Sequence, residues 1–144
     1  MHPLPHRYTV TALSSAEGVV TLRGEELEDI QSTPPPEFDG PAGNWSPESL
    51  FVASIADCFV LSFRAVARAS KLEWLELDCR AEGTLDKAAE GMQFTRIDLR
   101  VHLRVPAGTD HSRAERLLEK SEKVCLISSS IKPPVHLDLR VTAA

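Results

Sequence analysis

A long apolar segment between Leu50 and Ala67 constrains the fold of this 144-residue chain more than any other feature. The segment contains two charged residues, Asp57 and Arg64. Placing both charges near the middle of a lipid bilayer would cost roughly 2.5–3.5 kcal/mol each, which disfavours a membrane-spanning helix. The segment therefore predicts a helix in a protein core, and we expect no membrane partner.

The residues before this segment are typical of a helix start. Ser46 is placed to be the N-cap, Pro47 occupies the first helical position, and Glu48 complements the positive end of the helix dipole. We predict that the helix continues to about Ser70. Its apolar side chains occupy nearly every face, so it should be buried on all sides. A chain this small can hardly wrap such a helix alone, and we therefore predict a homodimer.

Alternating apolar and polar residues predict short strands on both sides of this helix. The predicted strands cover residues 8–12, 19–22, 27–32, 75–82, 94–105 and 135–141. Residues 1–7 are expected to form a loose arm, and residues 85–92 a hairpin connection. A second helix, capped by Thr109 or Asp110, should end near Cys125. This order predicts an α+β fold with antiparallel sheets, rather than alternating βαβ units, in a single domain spanning 1–144.

Composition and charge exclude several classes of function. The net charge of −5 makes nucleic acid a poor partner. The N-terminus does not resemble a secretion signal, and the three cysteines contain no CxxC pair. Because neither they nor the five histidines are spaced for metal binding, we expect no metal and no cofactor. Reduced thiols in the cytoplasm fit this pattern best.

The three cysteines differ in what their surroundings predict. Cys79 lies on the apolar face of a predicted strand, which explains it structurally. Cys125 ends an amphipathic helix before a serine-rich turn, where its side chain could face a pocket. Cys58 could simply fill space in the core. A reactive thiol needs a cation, hydrogen-bond donors or a helix N-terminus, and the neighbouring Asp57 would disfavour the thiolate. We therefore expect a cation from elsewhere in the fold to lie near Cys58.

Two cysteine-containing segments carry a resemblance to a known family. Residues 40–59 resemble the characteristic helix of the OsmC/Ohr family, the osmotically inducible and organic-hydroperoxide-resistance proteins. Residues 119–128 resemble the second cysteine segment of that family, and residues 94–99 resemble the strand between the two. The resemblance extends from Tyr8 to Val141, almost the whole chain.

The resemblance implies both an architecture and a reaction. The expected architecture is an OsmC-like fold in which antiparallel sheets wrap around two long central helices of an intertwined homodimer, with active sites at the interface. The expected reaction is the reduction of organic hydroperoxides. Cys58 would attack the peroxide, and Cys125 would resolve the product as a disulfide. A dithiol such as dihydrolipoamide would then reduce that disulfide.

The resemblance also implies roles for Glu48 and an arginine. Glu48 matches a glutamate that orients an activating arginine, but residues 14–18 and 37–40, where the family carries that arginine, contain no cation. Arg23 is the best remaining candidate, with a solvated turn residue as its alternative. Glu48 and Cys58 are ten residues apart on one helix, about 15 Å, so Glu48 must act through a bridging side chain or across the dimer. Its alternative role is to complement the helix dipole.

Two other functions stay open at the level of sequence. The missing arginine is compatible with a non-catalytic dimer of this fold that binds a small apolar or electrophilic molecule. A purely structural role during stress, with both cysteines inert, is the third possibility.

Overall fold

The computed structural model describes all 144 residues, which form two compact units, residues 1–51 and residues 52–144. We call these the N-terminal unit and the C-terminal unit. Residues 1–10 are exposed and have no regular secondary structure. The arm predicted for residues 1–7 therefore extends slightly further, and the first strand begins at Thr11 rather than at Tyr8.

The N-terminal unit contains an antiparallel sheet of three short strands in the order β1-β2-β3. The strands are β1 (Thr11–Leu13), β2 (Val20–Arg23) and β3 (Ile30–Ser32). All three strands predicted in this region are present, but β3 is shorter than predicted. Its start is delayed because the chain first turns between Gly24 and Leu27, where the Leu27 N–H donates to the Gly24 carbonyl and Glu26 has a positive φ of 58°.

A proline-rich loop follows β3 and folds against itself. It contains a short 3-10 helix over Pro36–Phe38, and the N–H of Gly40 donates to the Pro35 carbonyl at 3.0 Å. A Cβ atom on Gly40 would collide with the carbonyl group of Pro34. The loop is therefore packed at backbone level, and only glycine fits at position 40.

The first helix, α1, extends from Pro47 to Ala69 and begins as predicted. Its first turn is closed by two serines, since the Ser49 N–H donates to Ser46 Oγ at 3.1 Å and the Ser46 N–H donates to Ser49 Oγ at 2.9 Å. This reciprocal arrangement is a capping box with serine in the third helical position. Ser46 is the predicted N-cap, and Glu48 takes no part in the cap.

Within the single chain only one face of α1 is buried, and burial of its other faces by a partner subunit stays a prediction. The buried residues are Ile55, Phe59, Phe63, Val66 and Ala67. Leu61 on another face is 51% exposed. By length and composition alone α1 could also cross a membrane, with a mean hydropathy of 1.8. An apolar core helix has the same length and hydropathy, so these properties do not distinguish a core helix from a membrane-spanning helix.

The C-terminal unit contains a long hairpin, β4 (Glu76–Ala88) and β5 (Gly91–Val105). The connection predicted over residues 85–92 is shorter than expected, because both strands continue into this range and pair as far as Ala88 and Gly91. A register shift between Thr84 and Leu85 accommodates the extension. The polar residues that suggested a loop are the exposed end of a two-stranded ribbon.

The closing strand, β6 (Val135–Ala143), pairs with β5 in parallel. The antiparallel prediction holds for the other pairs but not for this one. The second helix, α2 (His111–Val124), carries the chain back along the sheet, so that β5, α2 and β6 form one βαβ crossover. Asp110 caps α2 by accepting the Arg113 N–H at 3.1 Å. The Thr109 hydroxyl instead donates a hydrogen bond to the Pro106 carbonyl.

The core of the C-terminal unit is built as the alternation in β5 predicts. The inward residues of β5 are at most 2% exposed: Ile97, Leu99, Val101, Leu103 and Val105. Ala114, Leu118 and Ser121 of α2 are also fully buried. The α+β class is confirmed, and this core positions α1 and the C-terminal end of α2, which carry Cys58 and Cys125.

Candidate active site

Cys58 lies midway along α1 beside a cavity of about 650 Å³ in the C-terminal unit. Its side chain is half-buried, and the cavity is mainly apolar. Apolar side chains from α1 and from the end of α2 supply most of the lining, among them Leu61, Val66, Val124 and Ile127. The thiol therefore faces a space that would accept a small molecule with an apolar body.

Cys125 lies at the C-terminal cap of α2, fully buried, with its thiol next to that of Cys58. Both thiols are free in the structure. The fold thus brings together the two cysteines that the family resemblance pairs. Cys58 is the more accessible of the two, so a molecule in the cavity meets its sulfur first.

The serine-rich turn after Cys125 holds two backbone N–H groups against Cys58. Ser129 donates to the Cys125 carbonyl through both its N–H (3.0 Å) and its hydroxyl (2.8 Å). The Ser130 hydroxyl donates to the Leu126 carbonyl at 2.7 Å. These bonds hold residues 125–127 in place just before the short 3-10 helix Ser128–Ser130, and the N–H groups of Leu126 and Ile127 donate to the Cys58 sulfur.

The pKa of the Cys58 thiol is lowered from its ordinary value by these neighbours. Partial burial is the largest single effect and raises the pKa. It is outweighed by hydrogen bonds to the thiolate from the Cys125 thiol, the Ile127 N–H, the Ser62 hydroxyl and the Leu126 N–H. Hydrogen bonds to the charged form favour that form, and together they favour the reactive thiolate.

The prediction that a cation lies near Cys58 finds no support among the groups of this chain that contact the thiol. Neutral donors stabilise the thiolate instead, and the contacts that lower the pKa include no arginine or lysine. Asp57 is exposed and also lines the cavity, but it does not prevent the lowering.

The pKa of Cys125 is raised. Burial is the main cause, and its hydrogen bond to Cys58 raises the pKa further. The N–H and the hydroxyl of Ser128 oppose this effect. Ser128 Oγ is buried and has no other hydrogen-bond partner, so it is free to donate to a Cys125 thiolate when one forms.

Cys79 has the least reactive thiol of the three. Burial, together with the charges of Asp78 and Cys125, raises its pKa to about 11. It lies on the half-buried face of β4, opposite Val101 of β5. This environment agrees with the structural role predicted for it.

The other two predicted site residues, Arg23 and Glu48, lie in the N-terminal unit and do not pair with each other. Arg23 forms an exposed ion pair with Asp29 at 2.8 Å. It is therefore engaged in the turn between β2 and β3, as its alternative interpretation predicts. Glu48 Oε2 is buried and has no hydrogen-bond partner.

Sequence reasoning missed the groups that act most directly on Cys58. Ser62 lies one helical turn after Cys58, with an oxygen–sulfur distance of 3.9 Å, and this spacing is visible in the sequence. The N–H groups of Leu126 and Ile127 carry no sequence signal, because every non-proline residue has one. No group of three or more His, Cys, Asp or Glu side chains is arranged to hold a metal ion.

Residues 40–140 match the family model described as OsmC-like protein. The chain belongs to the OsmC-like family. This match covers α1, the β4–β5 hairpin, α2 and most of β6, and thus both cysteines of the site.

Several relatives are similar over most of the chain. The peroxiredoxin OsmC of Escherichia coli (strain K12) is 29% identical over 104 residues, which are 72% of this chain and 71% of the relative. An organic hydroperoxide resistance protein-like protein of Staphylococcus aureus (strain USA300) is 27% identical over 116 residues, 78% of this chain and 79% of the relative. Among solved structures, an organic hydroperoxide resistance protein OsmC from Legionella pneumophila superposes with a TM-score of 0.76 at 27% identity, covering 97% of this chain and 99% of the other.

Proposed function

We propose that this OsmC-like protein is a thiol-dependent peroxidase that reduces organic hydroperoxides. One observation supports this most strongly: two adjacent free thiols at one apolar cavity have pKa values shifted in opposite directions, Cys58 down and Cys125 up. A two-cysteine peroxidase uses one thiolate that attacks the peroxide and a second thiol that reacts with the resulting sulfenic acid. The names of the relatives from E. coli and S. aureus point to the same chemistry.

The first step is attack by the Cys58 thiolate on the distal oxygen of the hydroperoxide. An S–O bond forms, the O–O bond breaks, and the alkoxide leaves as an alcohol after taking up a proton. Cys58 becomes a sulfenic acid, oxidised by two electrons. The apolar lining of the cavity would hold the organic group of the substrate, whereas hydrogen peroxide offers nothing for that lining to contact.

The second step joins the two cysteines. The Cys125 sulfur attacks the Cys58 sulfenic acid, the S–O bond breaks, and the hydroxyl leaves as water with the proton from Cys125. An external dithiol, with a lipoyl-type compound as the expected class, then donates two electrons and two protons by thiol–disulfide exchange. No cofactor takes part in this cycle.

A homodimer in the cytoplasm belongs to the same proposal. The apolar surface that α1 leaves exposed in the single chain supports the dimer, with Leu61 51% exposed. Three dispersed cysteines that remain free support a reducing compartment. The further role of Glu48 as a positioning residue has no contact in this chain to support it.

The decisive experiment measures consumption of cumene hydroperoxide by the reduced protein and by single cysteine variants. Cys58→Ser should abolish consumption. Cys125→Ser should react once and then accumulate a sulfenic acid, which dimedone traps and mass spectrometry detects. Cys79→Ser is the matched control and should behave like the wild type. Undiminished consumption by Cys58→Ser would rule out the proposal.

A second candidate function follows from the absence of a cation at Cys58. The protein would then bind a small apolar or electrophilic molecule in the Cys58 cavity without turning over peroxide. The same experiment separates the two, since a binding protein would form no sulfenic acid and no disulfide between Cys58 and Cys125.

A further inference from the structure

One charged side chain, that of Asp57, lines the cavity beside Cys58. The rest of the lining is apolar apart from the Cys58 thiol and the hydroxyl groups of two serines. Asp57 is exposed, and none of the ion pairs in the chain includes it. A molecule that approaches the Cys58 sulfur therefore meets a carboxylate whose charge no cation of this chain neutralises.

The cavity is small enough for this charge to act throughout it. Its volume is about 650 Å³, and a sphere of that volume is about 11 Å across, similar to the Debye length of about 10 Å at 0.1 M ionic strength. Salt therefore screens the carboxylate incompletely inside the cavity. The apolar lining adds to the effect, because it replaces water by a medium of lower dielectric constant, in which charges interact more strongly.

The charge of Asp57 acts on arriving molecules rather than on the thiol. The causes that shift the pKa of Cys58 are its burial and four hydrogen bonds, and Asp57 is not among them. Cys58 has a lowered pKa, so the cavity contains a second negative charge whenever the thiolate is present. Both charges repel an anionic molecule and attract a cationic one, whereas a neutral molecule feels neither effect.

We propose that Asp57 determines the charge specificity of this site, so that neutral and cationic molecules reach Cys58 and anionic ones are disfavoured. As a statement about peroxide substrates and thiol reductants, the inference rests on the proposed function. Hydroperoxides that carry a carboxylate group should react more slowly than neutral ones of the same size. Dihydrolipoamide should reduce the oxidised protein faster than dihydrolipoate, which is the same dithiol with a carboxylate in place of the amide.

The test compares two alkylating reagents of nearly equal size, neutral iodoacetamide and anionic iodoacetate, so it does not depend on peroxide chemistry. Peptide mass spectrometry measures the rates of Cys58 modification at pH 7 and low ionic strength, and each rate is divided by that of N-acetylcysteinamide, a neutral model thiol. Relative to iodoacetamide, iodoacetate should modify wild-type Cys58 about 3- to 10-fold more slowly than it modifies the model thiol. Both reagents need the thiolate, so the thiolate fraction cancels in the ratio.

Asp57→Asn keeps the shape of the side chain and removes its charge. This variant should bring the ratio of iodoacetate to iodoacetamide rates to within about twofold of the model thiol. Glu115→Gln is the matched control, because it removes one negative charge at an exposed position of α2 that does not line the cavity, and it should keep the wild-type ratio. In 1 M salt, where the Debye length is about 3 Å, the wild type should discriminate less between the reagents.

Three results would contradict the inference. The first is a wild-type ratio equal to that of the model thiol, which is also the result expected if a partner subunit supplies a cation to Asp57. The second is a ratio that Asp57→Asn leaves at the wild-type value. The third is a ratio that 1 M salt does not change, which would indicate exclusion by shape. Because the salt dependence is measured on the wild type, it decides the question even if Asp57→Asn fails to fold.

Peroxide assays connect the result with the proposed function. Cumene hydroperoxide and its para-carboxylate derivative have nearly the same size, and the wild type should consume the neutral peroxide about 3- to 10-fold faster. Asp57→Asn should narrow this difference. If neither peroxide is consumed, the proposed function fails and the alkylation ratio still decides the charge specificity. If both are consumed at equal rates, the proposed function stands and the charge specificity fails.

Discussion

At the scale of single residues, three thiols in one chain have three different reactivities because their neighbours differ. Donors from the turn after Cys125 lower the pKa of Cys58. Burial and the hydrogen bond to Cys58 raise the pKa of Cys125. Cys79 has burial and an adjacent aspartate, which both raise its pKa. A one-unit difference in pKa corresponds to about 1.36 kcal/mol between the two protonation states, so these contacts decide which thiol is nucleophilic at neutral pH.

Alkylation by iodoacetamide as a function of pH should reveal this order. Only the thiolate reacts, and a lowered pKa means that the thiolate is present at lower pH. The Cys58 rate should therefore rise at a lower pH than that of a cysteine with the ordinary thiol pKa. The Cys79 rate should rise only near pH 11. Peptide mass spectrometry after timed quenching measures both, and labelling of Cys79 ahead of Cys58 at pH 7 would contradict the assignment.

Ser128 should act on the recycling of the disulfide. A reductant that enters the cavity reaches the Cys58 sulfur first and expels Cys125 as a thiolate, because Cys125 is fully buried. Ser128 lowers the pKa of Cys125, so Ser128→Ala should raise that pKa further and make Cys125 a poorer leaving group. We expect a several-fold slower reduction of the oxidised protein by dithiothreitol. The exposed Ser112→Ala variant should reduce at the wild-type rate.

At the scale of elements, the proline-rich loop shows that backbone packing can be as restrictive as a side-chain core. Gly40 occupies a position where any Cβ atom would overlap the carbonyl group of Pro34. The loop leads directly to the N-cap of α1. Its conformation therefore positions the first turn of the helix that carries Glu48.

Gly40→Ala should destabilise the protein by about 1–3 kcal/mol, because backbone has to move to relieve the overlap. Gly43→Ala is the matched comparison in the same loop. A Cβ atom there meets no other atom, so its cost of about 1–2 kcal/mol comes only from the positive φ of 83°. Urea denaturation measures both, and equal stability of Gly40→Ala and the wild type would contradict the packing described.

At the scale of the whole molecule, α1 leaves an apolar surface that the chain does not cover. Leu61 is 51% exposed, and Val124 and Leu126 at the end of α2 are 48% and 76% exposed. Covering apolar surface gains about 25 cal/mol per Å², so a second copy is the expected partner. The chain forms two compact units, and the single domain that the sequence predicts stays a prediction.

Sedimentation velocity at micromolar concentration should show a dimer for the wild type. Leu61→Glu should shift the distribution to the monomer, because the introduced charge would be buried without a partner. Met92→Glu is the control, since Met92 is 64% exposed at the far end of the β4–β5 ribbon. A stable, folded wild-type monomer would contradict the dimer.

The sequence by itself determined those features that depend on local pattern. The alternation in residues 94–105 placed the core face of β5, Ser46 and Pro47 marked the start of α1, and the two cysteine segments identified the family. The first two features follow from periodicity and capping chemistry, which act over a few residues, whereas the family follows from the resemblance of the cysteine segments. They are sufficient for the fold class and for Cys58 and Cys125 as site candidates.

Only the tertiary structure decided the parallel pairing of β5 with β6, the donors that lower the pKa of Cys58, and the buried Glu48 oxygen without a hydrogen-bond partner. Each depends on groups that are distant along the chain or on backbone N–H groups that all residues share. Their effect is set by distance and burial in space, because hydrogen bonds and desolvation act through contact rather than through sequence order. The sequence therefore indicated which thiol to examine, and the folded chain determined what stabilises its anion.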